Sequence, residues 1–455
     1  MDFDFDVVVA GAGPAGSLAA RDLARAGLRV GLFDRSRAET LGKPVVVELE
    51  KDIFRRVGLR PPQGKEIPYH ATKARVFSSR NVEAYAVDGG LPTVAVHLNR
   101  FSRGLLREAR REKALSFFGG HEAVGVVQTG GRVAGAVFRA GQARTEFRAR
   151  LVMDATGFEA ALVRSLDPAL GFGFHDDPGD VIRAANALHR IDPLEARRAV
   201  REGRHADEEL RIRLGTLGPY ALEFSFLSVR NELAYILIGH KEEYQAPPLD
   251  DLLRDFGMRQ GYYGPRTRGG QGRIRIANIL DRFVCDGFMV LGEAACMVIP
   301  VNGSGVSSAL LAGHLAARTA AAALRAGRTD TAALWPYAAR YQRTRGAVLA
   351  SYTAVRHTTE ALGRDRSDTL LESGISQGED LINANIPRPV SPSPSSLFTR
   401  IPALARHPGL LPPLVRGAAA VRALYKLYRR YPETFDAAAL EAWRARRRRI
   451  HAALP

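Results

Sequence analysis

The amino-acid sequence predicts an α/β protein with two domains and a helical C-terminal extension. Short apolar runs, such as Val7–Ala10, Tyr235–Ile238 and Phe288–Leu291, have the length of buried strands, and segments with helical periodicity separate them. Of the 455 residues, 46% are hydrophobic and 25% are charged. A chain of this length and composition can bury a sizeable core, which excludes disorder as its main state.

The first 35 residues form the pattern strand, turn, helix, strand around a glycine-rich loop. The loop contains Gly11, Gly13 and Gly16 in the spacing GxGxxG. The first glycine allows a tight turn, the second lets the backbone approach a pyrophosphate, and the third lets the helix pack closely on the strand. The second strand, Val30–Phe33, ends at Asp34, whose carboxylate can accept hydrogen bonds from a ribose. The pattern predicts a Rossmann-like dinucleotide site, and a phosphate-free turn is the alternative.

A second cluster near residue 290 indicates the kind of dinucleotide. The strand at 288–291 is followed by Gly292 and Glu293, and a loop with Pro300 leads to a Gly-Ser-Gly turn at 303–305 that opens a long helix. An acidic side chain suits a polyol, and the amides at a helix start suit an electron-rich carbonyl group. A flavin has both features, in its ribitol chain and its N1–C2=O edge, and a nicotinamide cofactor has no need for this second site.

Three motifs together resemble those of one flavoprotein superfamily. They are the GAGPAG loop, Asp154-Ala-Thr-Gly157, and the segment from Gly292 to Gly305. The superfamily includes para-hydroxybenzoate-hydroxylase-type monooxygenases, flavin-dependent halogenases and geranylgeranyl reductases, and the resemblance spans about residues 5–325. It implies FAD as cofactor. The cofactor-contact positions it implies are Gly11, Gly13, Pro14, Ala15, Gly16, Asp34, Arg35, Arg100, Val124, Thr156, Gly157, Gly292, Glu293, Pro300, Gly303, Ser304, Gly305 and Val306.

Two further segments are similar to the geranylgeranyl reductases. Leu41-Gly-Lys43-Pro resembles their Gly-Lys-Pro loop, but the cysteine that follows in that group is absent, and Val45–Val47 and Glu48 stand there instead. The segment 220–225 resembles their Tyr-x-Trp-x-Phe-Pro cavity motif, with leucine in place of tryptophan and serine in place of proline. By pattern alone, this segment is equally the alternating face of a strand. The resemblance predicts a cavity lined by Lys43, Leu222 and Phe224, with Tyr220 as a candidate proton donor.

The resemblance also implies a domain organisation. An FAD-binding domain is expected from residues 1–65, 96–165 and 271–330, and a mixed α+β substrate domain from residues 66–95 and 166–270. Residues 331–455 form the helical extension, with a Pro/Ser-rich linker at 387–396.

The expected function is that of an FAD-dependent oxidoreductase that reduces carbon–carbon double bonds of a hydrophobic small molecule by hydride transfer from reduced flavin. The alternatives are a flavin-dependent monooxygenase (a hydroxylase or an epoxidase), a halogenase, and a flavin-binding carrier without turnover. The Trp-x-Trp-x-Ile-Pro motif of the halogenases is absent. Since the chain has no second GxGxxG, the reductant is expected to be transiently bound NAD(P)H or a separate electron donor, such as a reductase partner.

The net charge of +17 is concentrated towards the end of the chain, where residues 387–455 hold 13 Lys/Arg and 3 Asp/Glu. A helix there has an apolar stripe of Leu414, Ala418, Val421, Tyr425 and Tyr428 beside basic residues. The stripe either contacts an anionic membrane or docks on its own domain, and it argues against nucleic acid as a partner. Since every cofactor motif precedes residue 307, truncation after Ser395 is expected to leave FAD binding intact unless the tail is part of the folded core.

The remaining signals bear on metal sites and localisation. Cys285 and Cys296 fit no zinc, redox or iron–sulfur spacing, so no metal site is expected, and Cys296 is expected to be a small buried hydrophobic residue. The sequence has neither a signal-peptide pattern nor a long uncharged apolar run, so a cytoplasmic protein is expected, with peripheral membrane contact as a second expectation.

Overall fold

In the computed structural model, residues 3–174, 177–218, 221–377, 380, 389 and 394–454 are described. The strands are β1 (Phe5–Ala10), β2 (Val30–Asp34), β3 (Val46–Glu50), β4 (Lys73–Phe77), β5 (Glu83–Val87), β6 (Thr93–His97), β7 (Leu115–Gly119), β8 (Glu122–Thr129), β9 (Arg132–Ala140), β10 (Ala143–Asp154), β11 (Val181–Ile191), β12 (Glu209–Leu214), β13 (Ala221–Ser228), β14 (Leu233–Lys241), β15 (Tyr263–Arg275), β16 (Val284–Cys285) and β17 (Phe288–Val290). The helices are α1 (Pro14–Arg25), α2 (Ile53–Arg56), α3 (Leu98–Ala109), α4 (Ala161–Arg164), α5 (Pro193–Arg201), α6 (Leu249–Gln260), α7 (Val306–Arg325), α8 (Thr331–Tyr341), α9 (Ala347–Glu372), α10 (Pro394–Arg406), α11 (Leu411–Arg429) and α12 (Ala437–Ala452). The predicted α/β fold class is confirmed.

The first sheet is built on parallel strands in the order β17, β10, β1, β2, β7. β1 is apolar because it is central, and its residues Val7, Val8 and Val9 have no exposed surface. Full burial of each such side chain contributes about 1.5–3 kcal/mol relative to exposure. Helices α1 and α7 pack against each other, and the long strand β10 also continues into an antiparallel meander with β9 and β8.

The second sheet has seven strands in the order β15, β11, β14, β13, β12, β4, β5. Its pairs are antiparallel except for β12 and β4, which run parallel. The predicted domain boundary at residue 270 falls inside β15, which is a single unbroken strand of this sheet. A separate two-stranded ribbon of β3 and β6 pairs Val46 with His97 and Glu50 with Thr93. This ribbon contributes residues to the candidate site described below.

A buried ion pair ties the ribbon to the helical part of the chain. The segment Gln342–Gly346 is a π-helical stretch between α8 and α9. Its Arg345 donates two hydrogen bonds to the carboxylate of Glu50, at 2.8 and 2.9 Å, and both side chains are buried. Removing one partner of a buried ion pair typically lowers the free energy of unfolding by about 3–5 kcal/mol, because a buried charge is left without compensation. The pair therefore holds the end of β3 in a fixed position.

The C-terminal helices are part of the folded core. The face of α11 that packs against α9 differs from the predicted stripe, because Ala418 is exposed and Leu414 and Tyr425 are only half-buried. An ideal Cβ on Gly417 would lie 2.2 Å from Oγ1 of Thr358 on α9, so the small residue allows the two helices to approach closely. The buried residues of α11 are Pro413, Gly417, Ala420, Val421, Leu424, Leu427 and Tyr428.

The predicted linker at 387–396 lies largely outside the described residues. Its last three residues, 394–396, form the beginning of α10 rather than a linker. Proline is tolerated there because the first helical turn needs no hydrogen bond from its backbone nitrogen. Within the described part of the chain, no helix is long and apolar enough to cross a membrane.

Candidate active site

The glycine-rich loop has two glycines that the fold requires and one that faces open space. Gly11 has φ of +100°, and an ideal Cβ there would lie 2.2 Å from the carbonyl oxygen of Ala155. A Cβ on Gly16 would lie 1.9 Å from the carbonyl oxygen of Gly11. A Cβ on Gly13, by contrast, would meet no protein atom within 4 Å. The backbone at Gly13 therefore borders free volume at the N-terminus of α1.

Asp34, at the end of β2, fastens this loop to the neighbouring strand. Its Oδ2 accepts a hydrogen bond of 2.7 Å from the backbone nitrogen of Ala12, and its Oδ1 accepts one of 2.7 Å from Ser36. A carboxylate has about four acceptor positions, so Asp34 can still accept hydrogen bonds from a ligand hydroxyl. The next residue, Arg35, is exposed and lies 3.6 Å from Glu159.

The Asp154-Ala-Thr-Gly157 motif is organised by its aspartate. Asp154 is fully buried and accepts hydrogen bonds from the backbone nitrogens of Thr156, Leu162 and Val163 and from the Thr156 hydroxyl. Burial raises the pKa of Asp154, and these hydrogen bonds offset part of the rise. Asp154 thus shapes the turn, and Thr156 and Gly157 are the residues of the motif that reach the cavity described below.

The second cluster presents a helix start and a carboxylate. Gly305 is the N-cap residue of α7 and makes no side-chain hydrogen bond there. The backbone N–H of Ser304 donates a hydrogen bond of 3.0 Å to Oδ1 of Asn302. The unpaired amides of the first turn give this end of α7 a partial positive charge. Glu293 accepts a hydrogen bond of 3.0 Å from the backbone nitrogen of Arg275. Burial is the main cause that raises the pKa of Glu293.

The two cysteines show no sign of redox activity. Cys296 and Cys285 are both buried, and neither lines the cavity described below. Burial raises the pKa of each thiol to about 12, which disfavours the reactive thiolate. Cys296 has φ of +57°, a conformation that usually favours glycine. Among the described residues, no group of three or more His, Cys, Asp or Glu side chains is arranged to hold a metal ion.

A cavity of about 720 Å³ brings most of the predicted residues together. Its lining comes from the glycine loop, from the start of α7 and from the second sheet. The predicted residues that line it are Gly11, Gly13, Pro14, Ala15, Asp34, Arg35, Lys43, Thr156, Gly157, Phe224, Gly292, Glu293, Gly303, Ser304, Gly305 and Val306.

Five predicted residues do not line this cavity, namely Gly16, Arg100, Val124, Leu222 and Pro300. Gly16 serves close packing, and Arg100 is exposed. Val124 lies at a register shift between β8 and β9, and its neighbour Ala123 reaches the cavity instead. Leu222 and Pro300 are buried elsewhere. Tyr220 lies outside the described residues. The cofactor contacts of Gly16, Arg100, Val124 and Pro300, and the roles of Leu222 in the substrate cavity and of Tyr220 as a proton donor, remain predictions.

Several lining residues were not predicted from the sequence. Glu48 on β3, Thr93 on β6, Tyr69 before β4, Tyr235 on β14 and Asn186 on β11 form a polar group at the cavity wall. Tyr69 and Thr93 donate hydrogen bonds to Glu48 at 3.1 and 2.9 Å. The only signal in the sequence is that Glu48 stands near the position of a cysteine in the geranylgeranyl reductases.

Comparisons with known proteins agree with this geometry. Residues 4–190 match the family model described as FAD binding domain. The chain is 24% identical, over 97% of its length and 96% of the relative, to the digeranylgeranylglycerophospholipid reductase of Sulfolobus acidocaldarius. The chain is an FAD-dependent oxidoreductase.

Two of the solved structures that share the fold of this oxidoreductase illustrate its range. A geranylgeranyl bacteriochlorophyll reductase-like protein from Thermoplasma acidophilum superposes with a TM-score of 0.69 at 19% identity, covering 90% of this chain and 99% of that one. The myxobacterial chondrochloren halogenase superposes with a TM-score of 0.58 at 18% identity, covering 78% and 83%. At these identities the likeness establishes the fold, which is common to reductases and halogenases.

The described residues fit FAD on independent grounds. The free volume beside Gly13 and the N-terminus of α1 suit a pyrophosphate, which is anionic and needs close backbone approach. The start of α7 and the Glu293 carboxyl line the same cavity, so one extended ligand can reach both. The wall formed by the second sheet includes the apolar side chains of Leu210, Phe224 and Leu237 beside the polar side chains of Asn186 and Tyr235.

Proposed function

We propose that this oxidoreductase reduces carbon–carbon double bonds in an isoprenoid chain of a lipid. The observation that carries the proposal is the continuity of the cavity, which runs from the FAD-binding motifs to an apolar wall of the second sheet. An apolar wall favours a hydrocarbon chain because its burial removes apolar surface from water. Similarity over nearly the whole chain to a digeranylgeranylglycerophospholipid reductase supports the same substrate class.

The residues proposed to hold FAD divide into three groups. Gly13, with the start of α1, would hold the pyrophosphate, and Asp34, which lines the same cavity, would accept hydrogen bonds from the ribose. Glu293 would hold the ribitol chain, and the backbone at 303–306 would hold the flavin ring. Bound FAD supplies the hydride for reduction, and the protein orients the alkene against it and excludes water. The reductant is NAD(P)H bound transiently or a separate electron donor.

Anaerobic reoxidation of the flavin tests this function. When the holoenzyme is reduced with dithionite and mixed without oxygen with a geranylgeranyl lipid, we expect the absorbance of oxidised flavin to return, because the alkene accepts the hydride. The matched control is the same lipid with a saturated phytanyl chain, which should leave the flavin reduced. Lipid-dependent turnover that requires oxygen would instead identify a monooxygenase, and no reoxidation in either condition would identify a carrier.

We also propose that the C-terminal region contacts an anionic membrane, from which a lipid substrate is drawn. The apolar residues that support this contact differ from the predicted stripe. Ile401, Leu411 and Val415 are 57%, 48% and 57% exposed, and the basic residues Arg406 and Arg416 lie on the same two helices. Each Lys or Arg near an anionic membrane surface contributes about 1 kcal/mol to the free energy of membrane binding.

Vesicle sedimentation tests this contact. We expect the double variant Leu411→Ser/Val415→Ser to bind anionic vesicles more weakly than the wild type, because the apolar part of the contact is lost. The matched control is Leu194→Ser on α5, which removes another exposed leucine, 76% exposed, from a different surface. Equal binding by wild type and double variant, or no binding by the wild type, would contradict the proposal.

A further inference from the structure

The strand β3 lies between the helix proposed to hold the flavin and the sheet proposed to hold the substrate. At one end, the backbone nitrogen of Glu50 donates a 3.0 Å hydrogen bond to the hydroxyl of Ser307 on α7. At the other end, the side chain of Asn186 on β11 bonds both the nitrogen and the oxygen of Val46, at 3.3 and 2.9 Å. Glu48 is midway between these anchors, so its position is fixed by both parts of the molecule.

The Glu48 carboxyl is held by two hydroxyl groups. Tyr69 donates to Oε1 at 3.1 Å, and Thr93 donates to Oε2 at 2.9 Å. Tyr69 is itself fixed by Phe226, whose ring is stacked 4.6 Å away, and by Tyr235 at 5.1 Å. Glu48, Tyr69, Thr93 and Tyr235 all line the cavity. The carboxyl therefore has a defined orientation at the cavity wall.

The electrostatic surroundings favour a protonated carboxyl. Glu50, two residues along the strand, is neutralised by Arg345, whereas Glu48 has no salt bridge within the described residues. Burial raises the pKa of Glu48, and the hydrogen bonds from Thr93 and Tyr69 offset part of the rise. The titratable groups beside it are Tyr69 and Tyr235. Burial, together with the charge of Glu48, raises the pKa of both phenols, so they stay neutral while Glu48 titrates.

We propose that Glu48 is the acid that protonates the substrate double bond. This assignment rests on the proposed reductase function, because reduction of an alkene needs a proton in addition to a hydride. The π bond of the alkene breaks, one carbon receives the hydride from reduced flavin, and the other receives the proton of Glu48. Two C–H bonds form, the flavin becomes oxidised, and Glu48 becomes a carboxylate. Tyr69 and Thr93 stabilise that carboxylate until water reprotonates it, and the nicotinamide or other electron donor reduces the flavin again.

The variant Glu48→Gln tests the proton transfer separately from the reduction of the flavin. We expect it to bind FAD and to be reduced by dithionite like the wild type, because neither step uses the carboxyl. Anaerobic reoxidation by the geranylgeranyl lipid should slow by about 10²–10⁴-fold, the usual effect of removing a general acid. The matched control is Glu223→Gln on β13, which removes a buried carboxyl whose pKa is also raised by burial but which does not line the cavity. We expect it to reoxidise at the wild-type rate.

The protonation of the Glu48 carboxyl can also be measured without substrate or turnover. Infrared difference spectra between the wild type and Glu48→Gln, recorded as the pH is lowered, should show the carbonyl stretch of a protonated carboxylic acid that the variant lacks, and this stretch should appear at a higher pH than for an exposed glutamate. If the wild type is reoxidised by the lipid and Glu48→Gln is reoxidised equally fast, the assignment of Glu48 is wrong and the reductase function stands. If the lipid does not reoxidise even the wild type, the reductase function itself fails.

Tyr69→Phe tests the same assignment if Glu48→Gln loses FAD or does not fold. It removes a hydrogen bond that lowers the pKa of Glu48, so that pKa should rise. Since the protonated form is the active one, the rate of reoxidation falls as pH rises through this pKa. The variant should therefore retain its activity to higher pH than the wild type, and an unshifted pH profile would overturn the proposal.

Discussion

Replacement of Gly13 by valine is expected to weaken FAD binding about 100-fold and to leave the protein folded. The backbone at Gly13, with φ of −64° and ψ of −177°, is one that valine can adopt, and a Cβ there meets no protein atom within 4 Å. The side chain would instead occupy the space proposed for the pyrophosphate. A steric conflict of about 3 kcal/mol lowers affinity roughly 100-fold, since each 1.4 kcal/mol is a factor of ten. Flavin fluorescence after denaturation measures the FAD retained on purification.

The matched control is Gly104→Val on α3. A Cβ at this position is also unhindered, with only an arginine side-chain nitrogen 3.9 Å away, and Gly104 does not line the cavity. We expect this variant to retain FAD. A yellow Gly13→Val protein with wild-type FAD content would show that the pyrophosphate does not lie beside the glycine loop, and circular dichroism of the colourless variant would verify that it is folded.

Replacement of Trp443 by alanine is expected to lower the free energy of unfolding by about 3–5 kcal/mol, as for other buried tryptophans. Trp443 on α12 is 4% exposed, donates a 3.1 Å hydrogen bond to the carbonyl oxygen of Leu427, and contacts the rings of Tyr428 and Tyr431. Tyr431 in turn stacks on Trp335 of α8, at 5.4 Å. Denaturant unfolding gives the measurement. Arg449→Ala, at an exposed position of the same helix, should change stability by less than about 0.5 kcal/mol.

The same packing predicts the effect of truncation. A chain that ends at Ser395 would expose Trp335 and the apolar face of α9, so we expect it to lose FAD through unfolding. From the sequence alone, this outcome is the alternative to intact FAD binding, because every cofactor motif precedes residue 307. A stable yellow truncated protein, or a Trp443→Ala variant as stable as the wild type, would show that the tail is not part of the core.

The glycine loop could be predicted from the sequence because its constraints are local. Gly16 and Asp34 act through neighbours in a single βαβ unit, and the spacing of the three glycines predicts their roles, whereas the close approach of Ala155 to Gly11 is set by the tertiary structure. The start of α7 was predictable for the same reason, since a Gly-Ser-Gly turn before an apolar helix has a characteristic pattern. The family resemblance added the order of the three motifs, and this order indicated FAD as the cofactor.

The Glu48 group could not be predicted because its members come together only in the tertiary structure. Pairing of β3 with β6 brings Thr93 close to Glu48, and a loop before β4 brings Tyr69. In the alanine-rich helix α11, the helical periodicity predicted that Ala418 is on the buried face, but Ala418 is exposed. The face that packs against α9 is the one that contains Gly417, where the two helices approach closely. Arg100 was placed by resemblance alone, and its contact with a cofactor remains a prediction, since its side chain is exposed and does not line the cavity.

The proposed reaction is the saturation of carbon–carbon double bonds with hydride from FAD. Mass spectrometry of the geranylgeranyl lipid, after anaerobic incubation with dithionite-reduced holoenzyme, tests it most directly. We predict a product heavier by two hydrogen atoms for each double bond reduced, formed in a single turnover in proportion to the flavin reoxidised. An unchanged lipid without oxygen, together with a product that has gained an oxygen or halogen atom in air, would contradict the claim.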